Sequence, residues 1–287
     1  MSLTARKVLV TGSNGFIGSF LAKRLRESGY NVIKFEGDIT SDASYSTLQN
    51  EEIDHCFHLA EKSFVPESWN TPESFIKTNV YGTEKVLEFC RKKSISLTFV
   101  SSYLYGSPKY LPIDEKHPLQ TPNPYALSKY LGEELCRFYN EFYKMKICVL
   151  RPFNTYGPGQ NKRFLIPILI DQFKGADQTV TIKDLTPKRD YVYISDLIDA
   201  LVLSLNVATA EEFLVLNIGS GYSLSVADVI DEIKKQSGLI KEVISLNEVR
   251  ANEIPDTVAD IKRANEKLGW KPKVSFADGI REILRSE

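Results

Sequence analysis

Apolar residues in the first half of the chain come in two kinds of run that alternate. Short, almost continuous runs read as buried strands: KVLVTG from Lys7, NVIKF from Asn31, IDHCFHLA at 53–60, SLTFVSS at 96–102 and KICVLRP at 146–152. Longer runs with apolar residues every three or four positions read as helices: FIGSFLAKRLRESG closed by Gly29, PESFIKTNVYGTEKVLEFCRKK at 72–93, and YALSKYLGEELCRFYNEFY at 125–143. Strands alternating with helices predict an α/β fold, a parallel doubly wound sheet with right-handed crossovers.

After residue 152 the alternation loosens. NTYGPGQNKR is turn-rich, LIPILIDQFKG, YISDLIDALVLSL and SVADVIDEIKKQSG have helical periodicity, and LVLNIGSG reads as a strand. A chain of 287 residues is long for one core. The expected organisation is a Rossmann-type domain over 1–153 and a smaller substrate lobe over 154–287, with segments exchanged between lobe and sheet.

Composition narrows the function classes. Hydrophobic content of 43% and charged content of 25% are ordinary for a globular protein, and a net charge of −1 provides no field for nucleic acid or an anionic membrane. No apolar run is long enough to span a bilayer, and MSLTARKVLV runs straight into the first strand, which predicts no signal peptide and a cytoplasmic chain. Cys56, Cys90, Cys136 and Cys148 are far apart in sequence, form no C-x-x-C pair and read as buried free thiols. His55, His58 and His117 form no ligand cluster, so no metal site is expected.

The turn VTGSNGFIGS sets Gly12, Gly15 and Gly18 between a strand and a helix. Gly12 permits a tight turn, Gly15 lets the backbone approach a pyrophosphate, and Gly18 lets the helix pack on the sheet, with the helix N-terminus facing phosphate charge. The spacing is G-x-x-G-x-x-G. An acid about 20 residues further on binds the adenosine ribose in such folds. Glu36 and Asp38 in KFEGDIT are the two candidates, and a carboxylate there favours NAD over NADP.

Four Tyr-x-x-x-Lys pairs occur: Tyr30/Lys34, Tyr81/Lys85, Tyr105/Lys109 and Tyr125/Lys129. On a helix the two residues share a face, and a nearby ammonium lowers a phenol from about 10 toward working pH, so that it can exchange a proton with a hydroxyl or ketone. Tyr30/Lys34 falls on a strand, and Tyr105/Lys109 contains Gly106 and Pro108 and is not helical. Tyr81/Lys85 lies mid-helix. Tyr125/Lys129 opens a helix after the TPNP turn and follows the serine-tipped strand FVSSYLYG, whose C-terminal end is where doubly wound sheets bind ligands.

Taken together, these motifs resemble the extended short-chain dehydrogenase/reductase family, in its nucleotide-sugar epimerase/dehydratase branch, over nearly the whole chain. TGSNGFIG is similar to that family's cofactor turn, which extends cofactor contact to Asn14, Phe16 and Ile17. GDI adds Ile39, HLA adds Leu59 and Ala60, and KTNVYGTEKVLE carries the family's structural asparagine at Asn79. SSYLYG resembles the segment with the catalytic hydroxyl, which falls on Ser101 with Ser102 beside it as a substrate contact. NPYALSK supplies Tyr125 and Lys129, which also touch the cofactor. RPFNTYGPGQ, KRDYVYISDL and VRANEIPDTVADIKRANEKLGWKP imply sugar-diphosphate contacts from Asn154, Arg189 and Arg250.

Three departures refine the resemblance. Ser102 and Tyr103 stand where 4,6-dehydratases carry acids, which argues against a dehydratase. NVIKFEGDIT compresses two features normally separated by a loop and a strand, so a strand is expected to be missing. Ser63 replaces a lysine of some epimerases, and SFVPESW is more like reductases of GDP-4-keto-6-deoxy sugars. The resemblance therefore implies an NAD-dependent C4 epimerase of a nucleotide-diphosphate sugar, acting as a homodimer. Two alternatives are an NAD(P)H-dependent reductase of a nucleotide-linked 4-keto-6-deoxy sugar and a dinucleotide-sensing module without turnover.

Overall fold

The computed structural model describes residues 6–210, 213–248 and 253–286. Its chain runs β1 (Lys7–Thr11), α1 (Phe16–Glu27), β2 (Asn31–Lys34), a 3₁₀ stretch (Asp42–Leu48), β3 (His55–His58), α2 (Val65–Asn70), α3 (Pro72–Phe75), a π-helical turn (Ile76–Tyr81), α4 (Gly82–Lys92), β4 (Ser96–Val100), α5 (Pro124–Tyr143) and β5 (Ile147–Pro152). There follow β6 (Asn154–Tyr156), α6 (Leu165–Lys174), β7 (Thr179–Ile182), β8 (Lys188–Arg189), β9 (Tyr191–Tyr193), α7 (Ile194–Ala210), β10 (Phe213–Ile218), β11 (Leu224–Ser225), α8 (Val226–Ser237), β12 (Glu242–Ser245), α9 (Lys262–Leu268) and α10 (Phe276–Ser286).

Six strands form one parallel sheet in the order β10-β5-β4-β3-β1-β2, the doubly wound arrangement expected. Strand β10, from the second half of the chain, pairs with β5 with Val215 opposite Val149. Alternation along each strand fills both faces. Val8 and Val10 of β1, with Leu150 of β5, join α1, α6, α7 and α8 in one core, whereas Leu9, Phe99 and Val149 join α4 and α5 in the other. Strand β2 ends the sheet; among the described residues no strand lies outside it, as the compressed NVIKFEGDIT segment predicts.

The helix expected over 72–93 forms from Pro72 to Lys92, but it is not a uniform α-helix. It is a short α-helix, a π-helical turn and α4 in succession. The interruption centres on Asn79, whose buried side chain leaves the helix to bond Lys62 and Ser128, a requirement that a uniform helix would not satisfy. All four cysteines are buried and none is in a disulfide. Among the described residues no helix is long and apolar enough to cross a membrane, and no group of three His, Cys, Asp or Glu side chains is placed to hold a metal ion.

Candidate active site

The glycine turn behaves as its spacing requires. Gly12 has φ +68°, and a Cβ there would stand 2.7 Å from Ala60 N. At Gly18 a Cβ would meet Gly12 O at 2.1 Å, so only glycine lets α1 sit this close to the turn. No side chain caps α1, which leaves its first N–H groups for an anion. Beside this turn lies a cavity of about 340 Å³ lined by Gly12, Gly15, Gly37, Asp38, Ile39, Leu59, Ala60, Glu61 and Thr78. Its glycine cradle, apolar wall and single aspartate fit a dinucleotide. A larger hollow of about 480 Å³, near Tyr222, Asp228 and Phe276, contains none of the predicted site residues.

Of the two candidate acids, Asp38 lines the cavity; Glu36 is exposed and outside its lining. Asp38 accepts hydrogen bonds from the backbone N–H and the hydroxyl of Thr40 at 2.8 and 2.9 Å. These bonds hold its carboxyl below the usual range. Phe16 and Ile17 open α1, and the exposed Asn14 stands in the turn before it; none of the three lines the cavity.

The end of β3 is fixed by a chain of hydrogen bonds. Thr11 Oγ1 accepts from the N–H groups of Leu59 and Ala60, each at 3.1 Å, and lies 2.7 Å from His58 Nδ1. His58 Nε2 lies 2.9 Å from Thr83 Oγ1, which donates to Asn79 O at 2.6 Å. Because Thr83 spends its proton on that carbonyl, it accepts from Nε2–H; Nδ1 then accepts from Thr11. Burial, with the nearby Lys129 charge adding to it, lowers His58 to about 3 and keeps it neutral.

Asn79, the family's structural asparagine and an expected cofactor contact, is bonded within the protein. Its Oδ1 accepts from Lys62 N at 2.8 Å, and its Nδ2 donates to Lys62 O and to Ser128 Oγ, each at 2.9 Å. Both amide protons are therefore committed, and the residue ties the loop after β3 to α5.

Helix α5 starts where its sequence dictates. Asn123 caps it by accepting from Ala126 N at 2.8 Å, and Pro124 occupies the first helical position. Tyr125 thus stands in the first turn, and Lys129 follows one turn later. Lys129 is 2% exposed; its Nζ donates to Val100 O at 2.7 Å and sits 4.4 Å from the centre of the Phe99 ring. The same Nζ lies 2.6 Å from Glu61 Oε2, an ion pair that is close but not aligned as a hydrogen bond.

That pairing changes the expected electrostatics of Tyr125. Its phenol is pushed well above its ordinary value, first by burial, then by the Glu61 carboxylate, with the Ser102 hydroxyl opposing. The ammonium that was expected to lower it spends its charge on Glu61. Ser101 and Ser102 leave the C-terminal end of β4, each with a buried Oγ. Ser101 N still donates to Leu150 O, at 2.8 Å, whereas it is the Ser102 hydroxyl that acts on Tyr125.

The predicted phosphate contacts lie in the second half. Asn154 is exposed and donates to Asp190 O at 3.3 Å. Arg189 forms a close ion pair with Glu253 and donates to Ile254 O at 2.6 Å, so its guanidinium is already engaged. Arg250 lies outside the described residues. Of the other Tyr-x-x-x-Lys pairs, Lys85 turns to Asp42 at 2.8 Å, and Tyr105 and Lys109 are in irregular chain. Sequence reasoning missed Glu61 and Thr78. Glu61 could have been noticed as the one carboxylate directly after the HLA motif.

The model of the family described as GDP-mannose 4,6 dehydratase matches residues 33–283. UDP-glucose 4-epimerase of Lactobacillus helveticus is 31% identical over 312 residues, covering 96% of this chain and 94% of its own. GDP-6-deoxy-D-talose 4-dehydrogenase of Aggregatibacter actinomycetemcomitans is 31% identical over 291 residues, covering 97% and 96%. Among solved structures, MoeE5 in complex with UDP-glucose and NAD superposes with a TM-score of 0.89 at 29% identity, covering 97% of both chains.

Proposed function

This chain belongs to the GDP-mannose 4,6-dehydratase family, among the epimerases and dehydratases of nucleotide sugars, and we propose that it is an NAD-dependent nucleotide-sugar C4 epimerase. The observation that carries this reading is the meeting of Tyr125, buried Lys129 and the Ser102 hydroxyl, joined through Glu61 to a glycine-cradled cavity. Dehydratase chemistry is disfavoured because Ser102 and Tyr103 stand where an acid would be needed.

Gly12, Gly15, Gly18, Asp38 and Ile39, with Leu59 and Ala60 across the cavity, would hold NAD. When bound, NAD supplies the hydride acceptor and donor for C4. The chain's own share is proton transfer and orientation. Tyr125 takes the proton of the sugar's 4-hydroxyl and returns one to the 4-keto oxygen. Lys129 would hold the nicotinamide ribose and balances charge, and Ser101 and Ser102 donate to the 4-oxygen. Arg189, Asn154 and Arg250 hold the diphosphate from the lobe over 154–287. Turning of the keto sugar in the site presents the opposite face of C4, and that inverts the configuration.

One alternative keeps the same residues: a reductase of a nucleotide-linked 4-keto sugar. The dehydrogenase among the relatives and the Val65–Trp69 segment favour it. A second copy of the chain is proposed to pack on α4 and α5, where Tyr81, Phe138, Phe142 and Tyr143 are exposed. Four buried cysteines outside any disulfide suit a reducing cytoplasm.

Mass spectrometry of the ligand released from purified protein, followed by assay against UDP-glucose and UDP-galactose, tests the reading. Retained NAD and interconversion of the two sugars support it. Consumption of added NAD(P)H by a 4-keto sugar without isomerisation replaces it with the reductase.

A further inference from the structure

Glu61 belongs to none of the motifs that point to the reaction, yet it is the nearest charge to the reacting tyrosine's lysine. Its side chain is about four-fifths buried and lines the cavity beside Leu59 and Ala60. One carboxylate oxygen lies 2.6 Å from Lys129 Nζ, whose own side chain is 3% exposed. The same carboxylate acts on the Tyr125 hydroxyl. Burying two charges together is costly unless each serves the other. Here Glu61 stands in the cavity wall, paired with the buried Lys129. We propose that Glu61 is a positioning residue of this reaction: it holds the Lys129 ammonium and faces the Tyr125 hydroxyl, so three side chains govern the proton traded with the substrate.

This rests on the proposed role of Tyr125. Two of the groups around Glu61, Lys129 and Tyr125, come from α5. His58, on β3, is near enough to feel the Lys129 charge and is neutral through its bonds to Thr11 and Thr83. The next residue in the chain, Lys62, turns to Glu67 at 3.5 Å and to Ser74 at 3.2 Å. Asp38 shares the cavity but is bound to Thr40, with Lys77 as its nearby cation. Lys129 is thus the cation that balances Glu61.

The sign follows from Coulomb's law. A carboxylate beside a phenol disfavours phenolate, and a lysine neutralised by that carboxylate cannot favour it. With Glu61 present, Tyr125 holds its proton to higher pH and is ready as a donor to the 4-keto oxygen. Replacing Glu61 by glutamine removes the negative charge and releases the ammonium toward Tyr125.

The test is the NMR titration of the Tyr125 ζ-carbon, assigned by its loss in Tyr125→Phe, beside pH profiles of kcat/KM. Glu61→Gln is expected to lower the titration of Tyr125, and with it the acidic limb of the profile, by at least one pH unit. Glu61→Asp keeps the charge and is expected to stay near wild type. An unchanged titration in Glu61→Gln overturns the inference. So does a wild-type Tyr125 that titrates at or below the free value of about 10, a result that needs no variant at Glu61. Full activity in Tyr125→Phe removes instead the reading on which the inference depends.

Discussion

Arg151 and Glu133 meet at 2.5 Å between β5 and α5, with side chains 3% and 1% exposed. Arg151 also donates to Tyr105 Oη at 3.0 Å, and Tyr105 donates to Asn217 Oδ1 at 2.5 Å. Glu133 lies one turn beyond Lys129, so this pair fixes the height of α5 against the sheet. Removing one partner leaves a buried charge, and Glu133→Ala is expected to cost roughly 3–5 kcal/mol of stability. Urea unfolding measures it. Replacing both residues by apolar ones is expected to recover much of the loss.

Tyr125→Phe is expected to lower kcat by about 10²–10⁴-fold while the melting temperature barely moves. The two serines are separable in the same assay. Ser102 is the hydroxyl that acts on Tyr125, so Ser102→Ala is expected to shift the pH profile as well as kcat. Ser101→Ala is expected to lower kcat without that shift.

Arg189 is bound to Glu253 before any substrate arrives. If its guanidinium holds the diphosphate, Arg189→Ala weakens nucleotide-sugar binding about ten-fold, within the range of a charge-assisted contact. Glu253→Ala frees the guanidinium and is expected to tighten binding. Calorimetry with UDP alone reads both, and opposite signs are the outcome to look for.

His55 and His58 are buried and neutral, each lowered to about 3. A histidine lowered in the folded state favours folding fully above its unfolded value of about 6.5 and loses that contribution as pH falls. From pH 6.5 to 5 the loss is about 2 kcal/mol per histidine. Asp190 and Glu115, raised by burial, slope the other way. The measurement is therefore a difference: thermal melts of His55→Gln are expected to be less pH-dependent than those of wild type.

Phe138 and Phe142 stack at 4.8 Å on the outer face of α5, and both are exposed. Substituting Phe142→Glu is expected to yield a monomer by sedimentation if this face meets a second copy. Unchanged mass would place the dimer contact elsewhere.

The parallel sheet could be read from the chain because fully buried strands leave continuous apolar runs, as at Cys56–Phe57 and Leu97–Val100. Tyr125 and Lys129 could be read because an asparagine cap and a proline announce the start of their helix. The π-helical turn could not, since periodicity records which face is apolar and not where Asn79 must reach. Nor could the partner of Lys129. Glu61 is far from it in sequence; the parallel pairing of β3 with β4, and the bond from Lys129 to Val100 O at the end of β4, set the two side by side. A local motif fixes what a residue can do; long-range pairing fixes its charge.

The Asn79 amide carries one more consequence. It fastens the loop that bears Glu61 to the helix that bears Tyr125 and Lys129. Neither segment can open by itself without stranding a buried amide. The Lys62 peptide and the first turns of α5 therefore form one cooperative opening unit. In hydrogen exchange their amides share a single opening free energy, and Asn79→Ala splits it into two, with the loop after β3 exchanging first.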